Sequence, residues 1–427
     1  MKLAINGGKK VRNTLFPRYN NINQKEIDAV SNVMREGVLS QFIGAWCNDF
    51  YGGKKILEFE KKWSKKFNAK YSISVNSNTS GIITALGACG IGLGDEVIVT
   101  PFSMSISATA PLFYNATPVF CDLDMNTYSY DLEMLEKVIT KDTKVIIVVH
   151  ISGCPSNMDE IMAIAKKHNL YVIEDCAQAP GATYKGKPVG TLGDIGIFSL
   201  NYHKHIHTGE GGMCVTNDDV LANKMQLIRN HAEAVVDAKG ETDLVNMLGF
   251  NFRLTEIQAA IGIERLDKLD TELTTRQKYA KMYDNALTQY NFIETTLYED
   301  RTHSYYVQLF KFYEERAGVS RERFIEAVKA ELMPVEGREQ EGVPIGFGGV
   351  KPLYYHPIFQ KKWAYKEEGF GFKEHICYQK GLCPNYEELH HKRLFSHDFT
   401  RSPLSENDVL DVIAAYCKVA DNLNELR

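Results

Sequence analysis

The sequence predicts an α/β protein, a mostly parallel seven-stranded sheet flanked by helices with a smaller α+β C-terminal domain. Three observations carry that reading. Seven short apolar runs recur between residues 70 and 216, several of them continuous Val/Ile without polar alternation, as in strands buried on both faces. Amphipathic stretches separate the runs, which is the rhythm of parallel strands covered by helices. Beyond residue 216 the pattern changes to a long helical region and then to a mixed unit.

In chain order, residues 26–35 and 56–67 carry helical periodicity, and the polar, Gly-rich stretch 40–55 between them reads as a loop. The strands are expected at 71–75, 96–100, 118–122, 144–150, 171–174, 195–200 and 213–216. Helical patterns at 80–89, 132–139 and 158–168 fill gaps between them. A helical region over 253–269 continues into 272–287, and the last helix is expected at 406–423. The Gly-rich stretch 342–349 reads as a loop near the site. The expected division is a large domain over 1–265, with its N-terminal helices, and a small domain over 266–427.

Bulk properties narrow the function. The 427 residues are 44% hydrophobic, enough for a large core. A net charge of -5, with both signs mixed along the chain, does not predict a nucleic-acid or membrane surface as partner. The opening MKLAINGGKKVRN lacks the apolar core of a signal peptide, and no stretch approaches the roughly 20 apolar residues of a membrane span. Nine scattered cysteines without a C-x-x-C pair fit free thiols in a reducing compartment. A cytoplasmic enzyme is expected.

Three segments carry chemistry. In the run from Gly193 to Thr216 a strand ends in a polar segment holding Lys204, followed by the Gly-rich Thr208–Gly212. Strand ends are where α/β enzymes place reactive groups. A lysine buried there loses basicity, and its neutral amine can form an imine. A surface lysine in a loop is the alternative. Upstream, Glu174 and Asp175 close a buried strand, with Gln178 one helical turn on. A carboxylate there could face a cofactor's pyridine nitrogen, or the pair could cap a helix. The third segment, Asn76 to Gly81, joins a strand to a helix, and its small hydroxyl residues suit either a phosphate or plain capping. The order of the three favours a site, because strand ends of one sheet gather at one edge.

These residues resemble the DegT/DnrJ/EryC1/StrS family of pyridoxal-phosphate (PLP) dependent sugar aminotransferases, which have the aspartate-aminotransferase fold (PLP-dependent transferase fold type I). Four blocks carry the resemblance, from about residue 20 to the C-terminus. Ser77-Asn-Thr-Ser80 followed by Gly92-Leu-Gly-Asp-Glu-Val-Ile-Val99 is similar to S-G-T-A…G-x-G-D-E-V-I-V. Glu174-Asp-Cys-Ala-Gln178 is similar to E-D-x-A-Q. Gly193-Asp-Ile-Gly-Ile-Phe-Ser199, through Lys204, to Thr208-Gly-Glu-Gly-Gly212 is similar to G-D-I-G-x-F-S-F…K…T-G-E-G-G. Gly249 to Ala260 is similar to G-Y-N-x-R-x-x-E-x-Q-A-A.

The resemblance implies PLP as cofactor and Lys204 as the catalytic lysine bonded to it. It implies that Asp175 pairs with the pyridinium nitrogen, that Gln178 bonds the ring hydroxyl, and that Asn78, Thr79 and Ser199 hold the phosphate. Asn251 would reach the phosphate of a second subunit, which makes a homodimer with shared active sites the expected state. The resemblance puts His150 close to the cofactor and its substrate, with a satisfied strand-end histidine the other reading. Arg253, Tyr305 and His356 are candidate substrate contacts, with ordinary surface or interdomain pairing the other reading. Asn78 stands where the family has glycine, and the ring-stacking aromatic aligns with Met104, with Phe102 the other choice. The segment 40–53 looks longer than in the family and could form part of the sugar pocket.

His203, His205 and His207 alternate around the lysine. A metal site is not expected from them, since no acidic or cysteine partner sits at ligand spacing. A subgroup of the family carries histidine in place of the lysine and dehydrates its sugar; Lys204 favours amino transfer. The implied reaction moves an amino group from L-glutamate or L-glutamine to a keto-sugar, most commonly nucleotide-linked, in surface-polysaccharide (lipopolysaccharide) or antibiotic biosynthesis. A free keto-sugar acid of the 8-amino-Kdo type and a cyclitol ketone are the alternative acceptors.

Overall fold

The computed structural model describes residues 2–295 and 299–427. Its centre is one seven-stranded sheet of β1 (Tyr71–Val75), β2 (Glu96–Val99), β3 (Thr117–Phe120), β4 (Thr143–Val149), β5 (Tyr171–Asp175), β6 (Ile195–Ser199) and β7 (Gly212–Thr216). The strand order is β1-β7-β6-β5-β4-β2-β3, and β7 alone runs against the rest. All residues of β2, β3, β6 and β7 are buried, as the unalternated apolar runs require.

The reversal of β7 positions the chemistry. Antiparallel neighbours can be joined on one side of the sheet, whereas parallel ones need a crossover. The β6–β7 connection therefore stays at the C-terminal end of β5 and β6, and it carries Lys204.

Helices cover the sheet. They are α1 (Gln24–Glu36), α2 (Lys54–Phe67), α3 (Asn78–Ala88), α4 (Leu132–Val138), α5 (Met158–His168) and α6 (Asp219–Arg229), followed by α7 (Glu256–Asp267) and α8 (Leu269–Leu287). The long helical region expected after the sheet is thus two helices that meet at Lys268. Helix α3 starts on Ser77, whose side chain accepts the Ser80 N–H, and it is buried on nearly every side. Gly81 allows this: a Cβ there would lie 2.6 Å from Ile197 Cγ2 on β6. Gly212 does the same for strand β7, where a Cβ would come within 2.6 Å of the Ser77 carbonyl and 2.8 Å of the Asn78 nitrogen. The start of β7 can abut the start of α3 only with glycine there.

Residues after α8 form an antiparallel sheet of β8 (Ile293–Thr295), β9 (Gln308–Phe312), β10 (Ile345–Phe347) and β11 (Leu394–His397) in the order β8-β9-β11-β10. Helices α9 (Arg321–Ala330) and α10 (Glu406–Ala420) pack with it. The stretch 342–349, expected as a loop, contains β10, because buried Ile345 pairs opposite His397. The packing interleaves the chain. Leu3 and Phe16 join the C-terminal core, while Leu353, Phe359 and Tyr386 pack with the large sheet. No disulfide joins the cysteines among the described residues. No helix among the described residues is long and apolar enough to cross a membrane.

One buried ion pair ties α2, α6 and β1 together. Arg229 Nη1 donates to Glu60 Oε1 at 2.6 Å and to the Ser74 carbonyl at 3.1 Å, and Glu60 Oε1 also accepts the Ser74 N–H at 2.8 Å. Removing one partner of such a pair leaves the other charge buried and alone. Arg229→Ala is expected to lower unfolding stability by about 3–5 kcal/mol, measurable by chemical denaturation at neutral pH.

Candidate active site

At the C-terminal edge of the sheet lies a cavity of about 670 Å³, within the usual range for small-molecule sites. Its wall includes Asn78 and Thr79 from the start of α3, Asp175 from the end of β5, Ser199 from the end of β6, Gln178, Met104 and Lys204. Six strand ends and connections thus bring together most of the residues selected from the sequence.

Lys204 is 8% exposed, and its Nζ sits 4.0 Å from the ring centre of Tyr306. Burial lowers its pKa from the ordinary 10.5 to about 8, and the carboxylates of Asp175 and Asp398 oppose the fall. The surface-lysine alternative does not hold. The neighbouring backbone is fixed: the Lys204 carbonyl accepts the Tyr19 hydroxyl at 3.2 Å.

The two adjacent carboxylates have separate tasks because successive strand residues face opposite sides. Glu174 is fully buried and saturated: Oε1 accepts the N–H groups of Leu192 and Gly193 at 2.7 and 2.6 Å, and Oε2 accepts Gly190 N–H at 2.8 Å. It holds the loop before β6 rather than capping a helix. Asp175 faces the cavity, and its Oδ1 accepts the Ala177 N–H at 3.0 Å and Asn78 Nδ2 at 3.3 Å. Burial pushes its pKa up, while these bonds and the Lys204 charge pull it back.

Gln178 Oε1 is occupied by the Ser152 N–H at 2.6 Å, so its side-chain NH₂ is the group left to donate. At the start of α3 the Ser80 N–H goes to Ser77 Oγ and the Gly81 N–H to the Ser77 carbonyl. The N–H groups of Asn78 and Thr79 have no such partner among the described residues, and a helix start with free N–H groups suits an anion. This donor set fits PLP: N–H groups for a phosphate, an amide donor for a ring oxygen, a carboxylate for a ring nitrogen and a weakly basic amine for the aldehyde carbon.

Two expectations need correction. His150, expected at the substrate, is 0% exposed and absent from the cavity wall; its Nε2 bonds Glu174 Oε2 at 2.9 Å and its Nδ1 accepts the Ser156 N–H at 3.0 Å. It is a structural strand-end histidine. Tyr305 also misses the cavity: it stands at φ 51° and stacks on His303 at 4.1 Å, so Tyr306 takes the wall position. Arg253 lies beside Asn251, bonding its Oδ1 at 2.7 Å and Asn230 Oδ1 at 3.4 Å, and like Asn251 it stands off the cavity wall of its own chain. His356 and residues 40–53 also lie off that wall.

Met104 and Phe102 both reach the cavity, but one face of Phe102 is covered by Tyr386 at 4.6 Å, whereas Met104 is 63% exposed. The alternating histidines diverge. His205 Nε2 meets the Ser304 carbonyl at 2.8 Å, His207 Nε2 meets Asn21 Oδ1 at 2.6 Å, and His203 lines the cavity. From the stretch 342–349, Gly346, Phe347 and Gly349 reach the wall, as expected of a segment near the site. Tyr306 and Phe347 were not picked from the sequence; the paired tyrosines were the only available signal for the first.

Comparison with known proteins agrees with this geometry. The chain belongs to the DegT/DnrJ/EryC1/StrS aminotransferase family, which matches residues 22–394. It is a PLP-dependent aminotransferase. It is 42% identical over 255 residues to GDP-perosamine synthase of Caulobacter vibrioides, covering 60% of this chain and 67% of that one. It is 31% identical over 442 residues to the L-glutamine:2-deoxy-scyllo-inosose aminotransferase of Streptoalloteichus tenebrarius, covering 100% and 99%. The solved aminotransferase of Psychrobacter cryohalolentis aligns with a TM-score of 0.80 at 31% identity, over 96% of this chain and 100% of that chain.

The lowered basicity of Lys204 has a measurable consequence. Only the neutral amine attacks an aldehyde, and a depressed pKa makes it neutral at lower pH. Uptake of PLP by the cofactor-free protein, followed by absorbance, is expected to quicken as pH rises and to level off near 8. A rate that keeps climbing toward the ordinary lysine value of about 10.4 would show a solvated lysine.

Proposed function

We propose that this chain transfers the amino group of L-glutamate or L-glutamine to a keto-sugar, nucleotide-linked, with Lys204 as its acid–base residue. The observation that carries the proposal is the buried Lys204, weakened as a base, in one cavity with Asp175 and the free start of α3. Bound PLP supplies the electron sink that stabilises negative charge at the substrate carbon. Asp175 would hold a proton on the ring nitrogen, Gln178 would donate to the ring oxygen, and Asn78, Thr79 and Ser199 would hold the phosphate. Met104, with a free face toward the cavity, would stack on the ring. Lys204 then removes a proton from the donor's α-carbon and later returns one to the former keto carbon of the acceptor.

The likeness to GDP-perosamine synthase supports a nucleotide-linked acceptor. The likeness to a glutamine-dependent cyclitol aminotransferase over the whole chain supports a second reading, in which the acceptor is a cyclitol ketone. The lysine at position 204 supports transfer over dehydration.

Asn251 is exposed and off its own cavity wall, which supports a reach into a second copy's phosphate site. The proposed working unit is therefore a homodimer.

Lys204→Ala is expected to lower transamination by at least about 10²–10⁴-fold, the share that a positioned acid–base group contributes. The acceptor is tested by loading the enzyme with amino groups from glutamate and offering nucleotide-linked keto-sugars and cyclitol ketones separately; discharge by the cyclitols alone would overturn the first reading. Mixing Asn251→Ala subunits with Lys204→Ala subunits is expected to restore part of the activity only if the site is shared between copies, since one mixed site then keeps both residues.

A further inference from the structure

We propose that Asn78 is a positioning residue for Asp175, its side-chain amide helping to fix the plane of the carboxylate so that one oxygen is held and the other is open to the cofactor's ring nitrogen. The proposal rests on the assignment of Asp175 to that nitrogen made above.

A side-chain carboxylate has a broad rotational well about its last torsion, so the orientation of its plane is set by the neighbours that bond it. Here both nearby donors fall on one oxygen. Ala177 N–H reaches Oδ1 at 3.0 Å and Asn78 Nδ2 reaches Oδ1 at 3.3 Å. Oδ2 has no hydrogen bond among the described residues, although Asp175 is 4% exposed and stands on the cavity wall. The carboxylate is thus presented with one oxygen held and one open. Two donors come from different elements, the turn after β5 and the first residue of α3, so the held orientation does not depend on one loop.

The amide also acts on charge. A neutral donor bonded to a carboxylate favours its ionised form, against the burial that disfavours it. An ionised Asp175 is the form that can keep a ring nitrogen protonated. Asn78 would therefore serve PLP twice, with its backbone N–H at the phosphate and its side chain behind the acid. Glycine, which the family pattern has at this place, can supply only the first.

The test compares two ligands on the cofactor-free protein, PLP and its carbocyclic analogue with C–H in place of the ring nitrogen, by equilibrium binding. Only PLP can use Asp175, and every other contact is shared, so the ratio of the two affinities isolates the carboxylate. Wild type is expected to prefer PLP, and Asp175→Ala to lose that preference. Asn78→Ala and Asn78→Gly are each expected to reduce the preference about three- to tenfold, the scale of one ordinary hydrogen bond, because the loss of PLP affinity exceeds any loss of affinity for the analogue. A full preference in both Asn78 variants would overturn the role of Asn78 and leave Asp175 in place. A wild-type protein that does not distinguish the ligands would overturn the assignment of Asp175 itself. A variant that loses both ligands equally would mark Asn78 as part of the phosphate cradle alone and would also overturn the proposal.

Discussion

Removing one ammonium group from water is the constraint around which the site is organised. A charged side chain leaves water only if partners replace its hydration, or else it gives up its charge more readily. Arg229 shows the first outcome: its guanidinium is 0% exposed and meets Glu60 directly. Lys204 shows the second. The face of Tyr306 lies against its Nζ, and the carboxylates of Asp175 and Asp398 act on it without a direct hydrogen bond. An aromatic face attracts a cation more weakly than a carboxylate in contact does. The result is an amine that remains within reach of neutrality, which suits a group that must both bond and move protons.

The sheet supplies the rest through direction and pleat. Because β7 runs opposite to β5 and β6, the chain returns on the same edge, and the lysine stays beside the carboxylate. Because neighbouring residues of β5 face opposite sides, Glu174 can be spent on the backbone of residues 190–193 while Asp175 remains open to the cavity. One strand end thus holds both an anchor and an acid.

Much of this was legible in the sequence, and the boundary has a physical cause. Lys204, Asp175 and the start of α3 were found because strand ends of one sheet gather on one edge, so their order brings them to the cavity wall, whereas Ser199 and the role of Gln178 came from the family resemblance. Helix α5 runs over Met158–His168, where apolar periodicity placed it. What failed depended on where a side chain points. Tyr305 sits in a left-handed backbone conformation that no spacing rule reveals for a tyrosine, and it hands the wall position to its neighbour. His150 lies beside a buried glutamate whose oxygens needed a donor, which only the packing shows. The bond from Asn78 to Asp175 joins residues 97 apart, beyond any local pattern.

The Tyr306 contact carries one more consequence. The walls around Lys204 come from both halves of the chain, since Tyr306, Val307 and Leu309 line the cavity together with Asp175 and Ser199. Further bonds hold that segment in place, from Tyr306 N–H to the Ser152 carbonyl at 2.8 Å and from Ser304 Oγ to the Gln178 carbonyl at 2.9 Å. A protease cut that released the C-terminal half would leave every motif residue of the sheet in sequence, yet the lysine would be wetted and regain the basicity of a free side chain. The amine's reactivity is accordingly a property of the closed molecule and reports on its integrity.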